Sequence, residues 1–183
     1  MINTLISFSA KYIHAGIGMA LLFFYGCGNT NEHQLHPQKN YTREQLLSAN
    51  KTDSRRESDD IDAYLAVHHL QMTGSGTGLR YHFMTHSTTG DSVKAGNYAK
   101  VAYSVSLLDG TLCYSSDKDG PKEFRVGEDH VESGIHEMAL LMKTGDKVRF
   151  ILPSNLAHGL LGDGDKIPPR APVLYEMELL GLR

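Results

Sequence analysis

Cysteine is nearly absent, with two among 183 residues, which leaves neither a disulfide framework nor a four-ligand structural zinc site to build on. A basic surplus is missing too. Eighteen lysines and arginines face 21 aspartates and glutamates, a formal charge of −3, so the electrostatic footprint of a general nucleic-acid binder is not there. The ten histidines include no HExxH arrangement, and the adjacent His68 and His69 cannot both face one ion from a helix. No GxSxG elbow occurs, and Ser154 follows directly on Pro153, so a serine-hydrolase reading fails. The run SSDKDG puts Asp117, Asp119 and Gly120 at EF-hand places, but Ser115 stands first and Val126 twelfth, which is no calcium loop. No metal or cofactor is expected. What is present is 40% hydrophobic and 21% charged residues, a soluble, core-forming composition of a length that suits one domain and an appendage.

The first 26 residues carry no acid and one lysine, Lys11, ahead of an apolar run from Gly16 to Tyr25. The run is too short for a spanning helix, which needs about 20 apolar residues, and reads as a signal peptide over 1–26. The following FFYGC resembles a bacterial lipobox, which implies lipidation of Cys27 and a membrane tether over 27–40, polar and without hydrophobic period. Cys113 is then a lone thiol, expected to be buried.

From Tyr41 the pattern changes to a helical extension over 41–73. Thr42 is expected to cap a short helix through Asn50. A second helix starts at Ser58, with Asp59 and Asp60 in its first turn and Ile61, Tyr64, Leu65 and His68 at helical spacing. The glycines of TGSGTGL end it; no strand precedes them, so they are a boundary and not a phosphate cradle. The main domain covers 78–183. Val101, Tyr103, Val105 and Leu107 alternate up to the hairpin dipeptide Asp109-Gly110; Val148, Phe150 and Leu152 form a second strand face, and Val173, Tyr175, Met177 and Leu179 a third. One helix is expected among them, Ser133 to Lys143, with Ile135, Met138, Ala139 and Met142 on its apolar face and Gly145 as its stop. Antiparallel strands with one short amphipathic helix make an α+β domain.

Five segments carry a family resemblance: DGTLCYSS, FRVG, GIHEMALLMKTGDKVRFILP, LAHGLLG and IPPRAPVLYEMELL. Their order and spacing, from about Val93 to Leu182, resemble the FK506-binding-protein (FKBP) family of peptidyl-prolyl isomerases. The resemblance implies a five-stranded antiparallel half-barrel wrapped around the short helix, with an apolar pocket between helix and sheet. The leader and helical preface further resemble a subgroup of bacterial FKBP lipoproteins, some associated with gliding motility in Bacteroidetes-type bacteria.

The same resemblance implies site residues, position by position. Tyr103, Phe124 and Tyr175 match pocket aromatics. Val131 and Glu132 match the pair whose second member offers a backbone N–H to the substrate carbonyl. Ile135 takes the pocket floor, Ile167 a wall, and His158 the place where tyrosine is usual. Cys113 stands where phenylalanine is usual and Tyr114 where the family often has aspartate, so the pocket carboxylate is expected to be missing. Tyr103, Tyr114, Phe124 and Tyr175 are the candidate catalytic residues; Cys113, Val131, Glu132, Ile135, His158 and Ile167 are candidates for substrate binding.

Such a pocket needs no nucleophile. Rotation about an X-Pro bond is opposed by amide resonance, a barrier of about 18–20 kcal/mol, and the twisted state has lost much of the carbonyl's charge separation. A dry aromatic lining suits it. The function expected is prolyl isomerisation of proline-containing clients outside the cytoplasm, on a membrane-anchored lipoprotein of the cell envelope. The alternative is a catalytically weak proline-peptide-binding or chaperone module of an envelope or motility complex.

Overall fold

Helix α1 (Arg43–Val67) opens in a reciprocal cap. The Thr42 hydroxyl accepts from the Gln45 N–H at 3.2 Å, and the Gln45 side chain accepts from the Thr42 N–H at 3.0 Å. The structure, a computed structural model, describes residues 40–183; the leader over 1–26, Cys27 and the tether short of Asn40 lie outside the described residues. The two expected helices are one, 25 residues long. Neither glycine nor proline interrupts it, so no local signal ends the first turn-set at Asn50. Ser58, expected as a start, sits in mid-helix, where its hydroxyl accepts from Arg80 Nη2 at 3.2 Å.

Helix α1 ends at Val67, ahead of the glycines expected to end it: His69 takes φ 53°, and the Leu70 N–H returns to the Leu65 carbonyl at 2.9 Å. The first two residues of the glycine-rich run form β1 (Thr73–Gly74), and β2 (Arg80–Thr85) follows it. Then follow β3 (Tyr98–Leu107), β4 (Leu112–Ser115), a single helical turn α2 (Ser116–Asp119), β5 (Lys122–Arg125), α3 (Ser133–Leu140), β6 (Lys147–Leu152), a 3-10 turn (Ser154–Leu156) and β7 (Val173–Leu182). All pairings are antiparallel. The order is β1-β2-β6-β7-β3-β4, with β5 sharing the outer edge of β3. Among the described residues the sheet has seven strands where the resemblance implied five. One source is the two-residue β1; the other is α2, which splits the edge beside β3 into β4 and β5. At that split Tyr103 N–H finds its partner in the Ser116 hydroxyl, at 3.0 Å.

The core lies between the sheet and α3. Val101, Tyr103 and Val105 of β3, Val148, Phe150 and Leu152 of β6, and Val173, Tyr175, Met177 and Leu179 of β7 meet Ile135, Met138 and Ala139 of α3. On the outer face, cross-strand neighbours carry opposite charge: Arg149 reaches Glu176 at 2.5 Å and Lys147 reaches Glu178 at 3.0 Å. Helix α3 ends at Leu140, short of the expected Lys143, because the N–H groups of Leu141 and Met142 turn back to Met138 and Ala139 at 3.0 and 2.9 Å. Met142 stays buried. Gly145, expected as the helix stop, lies beyond the helix end; at φ 89° it turns the chain toward β6, its N–H donating to the Leu179 carbonyl at 2.8 Å.

A single helix packing on the sheet was expected; α1 is a second. Arg80 of β2 is the register neighbour of Ile151, and its guanidinium meets Asp62 of α1 at 3.2 Å. Ile151 points away from Phe150 and Leu152, so α1 lies on the face of the sheet opposite α3. Ile61 is its one fully buried side chain, a burial that contributes about 1.5–3 kcal/mol. Among the described residues no helix is long and apolar enough to cross a membrane.

Candidate functional site

Between α3 and the sheet lies a cavity of about 260 Å³. Tyr103 and Val105 of β3, Tyr175 and Met177 of β7, Phe124 of β5 and Ile135 of α3 form its apolar walls. Two of the three rings are held by a neighbouring ring. Tyr175 stacks on its cross-strand partner Phe150, centroids 5.1 Å apart and planes at 8°, a geometry worth about 0.5–1.5 kcal/mol beyond burial. Phe124 meets the edge of His136 at 5.7 Å. His136 Nδ1 accepts from Gly127 N–H at 2.9 Å, which leaves the proton on Nε2 to bond Asp129 O at 3.0 Å. That histidine fixes the loop that carries Val131 and Glu132 into the cavity.

Glu132 precedes α3, and its N–H pairs with no acceptor among the described residues. Its Oε1 accepts from the Tyr175 hydroxyl at 3.2 Å and lies 3.0 Å from His158 Nε2. Burial, and after it the Glu132 carboxylate, push the Tyr175 phenol well above its ordinary range, so Tyr175 stays a neutral donor. Tyr103 differs. Its hydroxyl is buried and meets no hydrogen-bonding group among the described residues, while the Lys122 ammonium stands 5.1 Å from its ring centroid.

The expected loss of the pocket carboxylate is corrected. Tyr114, standing where the family often has aspartate, donates its hydroxyl to Asp163, which comes from the loop after the 3-10 turn and itself lines the cavity. Asp163 Oδ1 accepts from the Asp165 and Ile167 N–H groups at 2.9 and 2.8 Å. Burial raises the Asp163 pKa, but the bonds from Tyr114 and from the two backbone donors outweigh it and hold the carboxyl at about 2. The same hydrogen bond, with burial, keeps the Tyr114 phenol protonated far above its usual range. Gly162 makes this loop possible: it sits at φ +70°, and a Cβ there would come within 2.2 Å of the Ile167 carbonyl.

The cavity thus brings together Tyr103, Tyr114, Phe124, Val131, Glu132, Ile135, His158 and Tyr175. Cys113 and Ile167 are buried in the surrounding core and do not line it; burial pushes the Cys113 thiol up. Cys27 lies outside the described residues. Sequence reasoning missed Asp163, whose GDGD run reads as a plain turn, and the lining Lys122 and Glu123 beside Phe124.

The family model of the FKBP-type peptidyl-prolyl cis-trans isomerases matches residues 90–180. FK506-binding protein 2 of Dictyostelium discoideum is 37% identical over 90 residues, 49% of this chain and 68% of that protein. The macrophage infectivity potentiator of Trypanosoma cruzi is 39% identical over 46% of this chain. A probable FkpA isomerase of Neisseria meningitidis is 29% identical over 82% of it. The matches span 42% and 57% of the latter two relatives. Among solved structures, FkpA from Escherichia coli superposes with a TM-score of 0.61 at 26% identity, covering 76% of this chain and 65% of that one. AtFKBP13 gives 0.58 at 30% identity, covering 62% and 99%. The chain belongs to the FKBP-type peptidyl-prolyl cis-trans isomerases.

Proposed function

We propose that residues 78–183 accelerate cis–trans isomerisation of X-Pro bonds in extended polypeptide clients, with the cavity walled by Tyr103, Phe124 and Tyr175 as the site. The observation that carries this is a hollow walled by apolar side chains and aromatic rings, with an unpaired backbone N–H at Glu132 beside it. A proline ring fits against the aromatic walls, and the preceding carbonyl turns toward the Glu132 N–H. As the amide twists, its dipole shrinks, so an apolar enclosure favours the twisted state over the planar one and lowers the barrier by differential binding. No proton transfer or covalent step is needed.

The leader, acid-free and apolar, together with the lipobox-like FFYGC supports placement outside the cytoplasm on a lipid attached to Cys27. Incorporation of a labelled fatty acid, abolished by Cys27→Ser, is the expected outcome; unchanged membrane retention in that variant overturns it.

A protease-coupled assay with a proline tetrapeptide tests the activity. Wild type is expected to accelerate isomerisation. Tyr175→Leu, which keeps apolar bulk but loses the ring and the donor, is expected to lower kcat/KM at least about tenfold, equivalent to about 1.4 kcal/mol. An inactive wild type that still binds the peptide establishes the binding-module reading.

A further inference from the structure

Glu57 sits in the middle of α1, yet both its oxygens engage one residue 97 positions away. Oε1 accepts from the Ser154 N–H at 2.5 Å and Oε2 from the Ser154 hydroxyl at 2.9 Å. Ser154 is 7% exposed, so without this carboxylate two buried donors lose their acceptor. Ser154 opens the 3-10 turn, and its own carbonyl accepts from Ala157 and Gly159 N–H at 3.1 and 2.7 Å, closing a loop that contains His158. Beyond it the Gly159 carbonyl accepts from Arg170 N–H at 2.9 Å, and the Arg170 guanidinium meets Asp53 at 2.5 Å. From the same loop His158 Nε2 reaches Glu132 Oε1, the atom that also takes the Tyr175 hydroxyl. A connected series of polar contacts therefore runs from α1 to the cavity.

Asp53 and Glu57, one helical turn apart, hold the two ends of the His158 loop, and they are not equal. The Asp53–Arg170 pair is 39% and 54% exposed, and exposed pairs contribute little. Glu57 satisfies two donors on a buried residue and carries the coupling.

We propose that Glu57 is a positioning residue: through Ser154, α1 sets where the His158 imidazole stands at the rim of the isomerase cavity. The proposal rests on the reading of that cavity as the isomerase site, and the test separates the two. In the full chain, Glu57→Ala is expected to lower kcat/KM about fivefold, chiefly through kcat. Glu57→Gln, whose amide accepts the N–H and donates to the hydroxyl, is expected to stay within about twofold of wild type. In a His158→Leu background Glu57→Ala is expected to change kcat/KM less than about twofold, because the group it positions is gone. Loss of equal size in both backgrounds, or no loss in either, overturns the proposal. The His158 ring signals in NMR, assigned with His158→Leu, give a readout independent of activity. They are expected to shift with Glu57→Ala and not with Arg55→Ala on the exposed face of α1. Unmoved signals overturn the proposal even if the isomerase reading stands, and moved signals uphold the coupling even if wild type fails to accelerate isomerisation.

Discussion

Replacing Tyr103 by phenylalanine is expected to make the free protein more stable and less active at once. The Tyr103 hydroxyl is buried, on a residue 8% exposed, with no hydrogen-bonding group in reach among the described residues. A buried hydroxyl without a partner costs about 1–3 kcal/mol, and phenylalanine removes the polar atom while keeping the ring against the cavity. For a domain of this size that gain raises Tm by roughly 3–10 °C. The hydroxyl's remaining use is toward a ligand: with a proline peptide seated, it is the donor the walls otherwise lack at β3. Losing one neutral hydrogen bond to the bound, twisting amide corresponds to about 1 kcal/mol, or roughly a fivefold lower kcat/KM. Urea denaturation at constant m-value reads the first effect, and the protease-coupled assay the second. If Tyr103→Phe is less stable than wild type, the hydroxyl is satisfied in the free protein. The reasoning then fails at its first step.

The Asp163 carboxyl is held at about 2 in the folded chain against about 3.9 when unfolded. Its stabilisation is therefore complete above the unfolded value and is lost as pH falls from about 4 toward 2. The difference in unfolding free energy between wild type and Asp163→Asn is expected to be flat above about pH 5 and to shrink across that interval. Gly162→Ala puts a Cβ 2.2 Å from the Ile167 carbonyl at a φ of +70°, and is expected to cost about 1–3 kcal/mol and to lower activity by displacing Asp163. Gly164→Ala, at a similar φ but with nothing within 4 Å of its Cβ, is expected to cost only the backbone strain, about 1 kcal/mol; equal losses for the two would refute the steric account. Asp146 is fully buried and accepts from Ser87 and Lys143 N–H at 2.5 and 2.7 Å. Asp146→Ala is expected to destabilise by about 2–4 kcal/mol, with Asp146→Asn costing less, read as a fall in urea midpoint.

The strands β3, β6 and β7 were legible because alternation is a local property: with a side-chain period of two, Val101, Tyr103 and Val105 or Val173, Tyr175 and Met177 declare one buried face without knowledge of any partner. The Thr42 cap and the turn at Gly145 are local for the same reason, each depending on residues within a few positions. The division of α1 at Asn50 and Ser58 went astray where the apolar stripe thins. There the docked face is polar, Asp53, Glu57 and Ser58, and a hydrophobic period cannot register it.

Which of these residues meet across the chain was settled by folding alone. The carboxylate that faces Tyr114 comes from Asp163, 49 positions downstream, and no spacing rule connects a strand residue to a distant turn. The link from Glu57 to Ser154 joins residues 97 positions apart. Propensity and periodicity act over one or two turns of chain, so they establish which side chains point inward. The pairing of buried donors with distant acceptors depends on sheet order and on where α1 docks, and those follow from the packing of the whole domain.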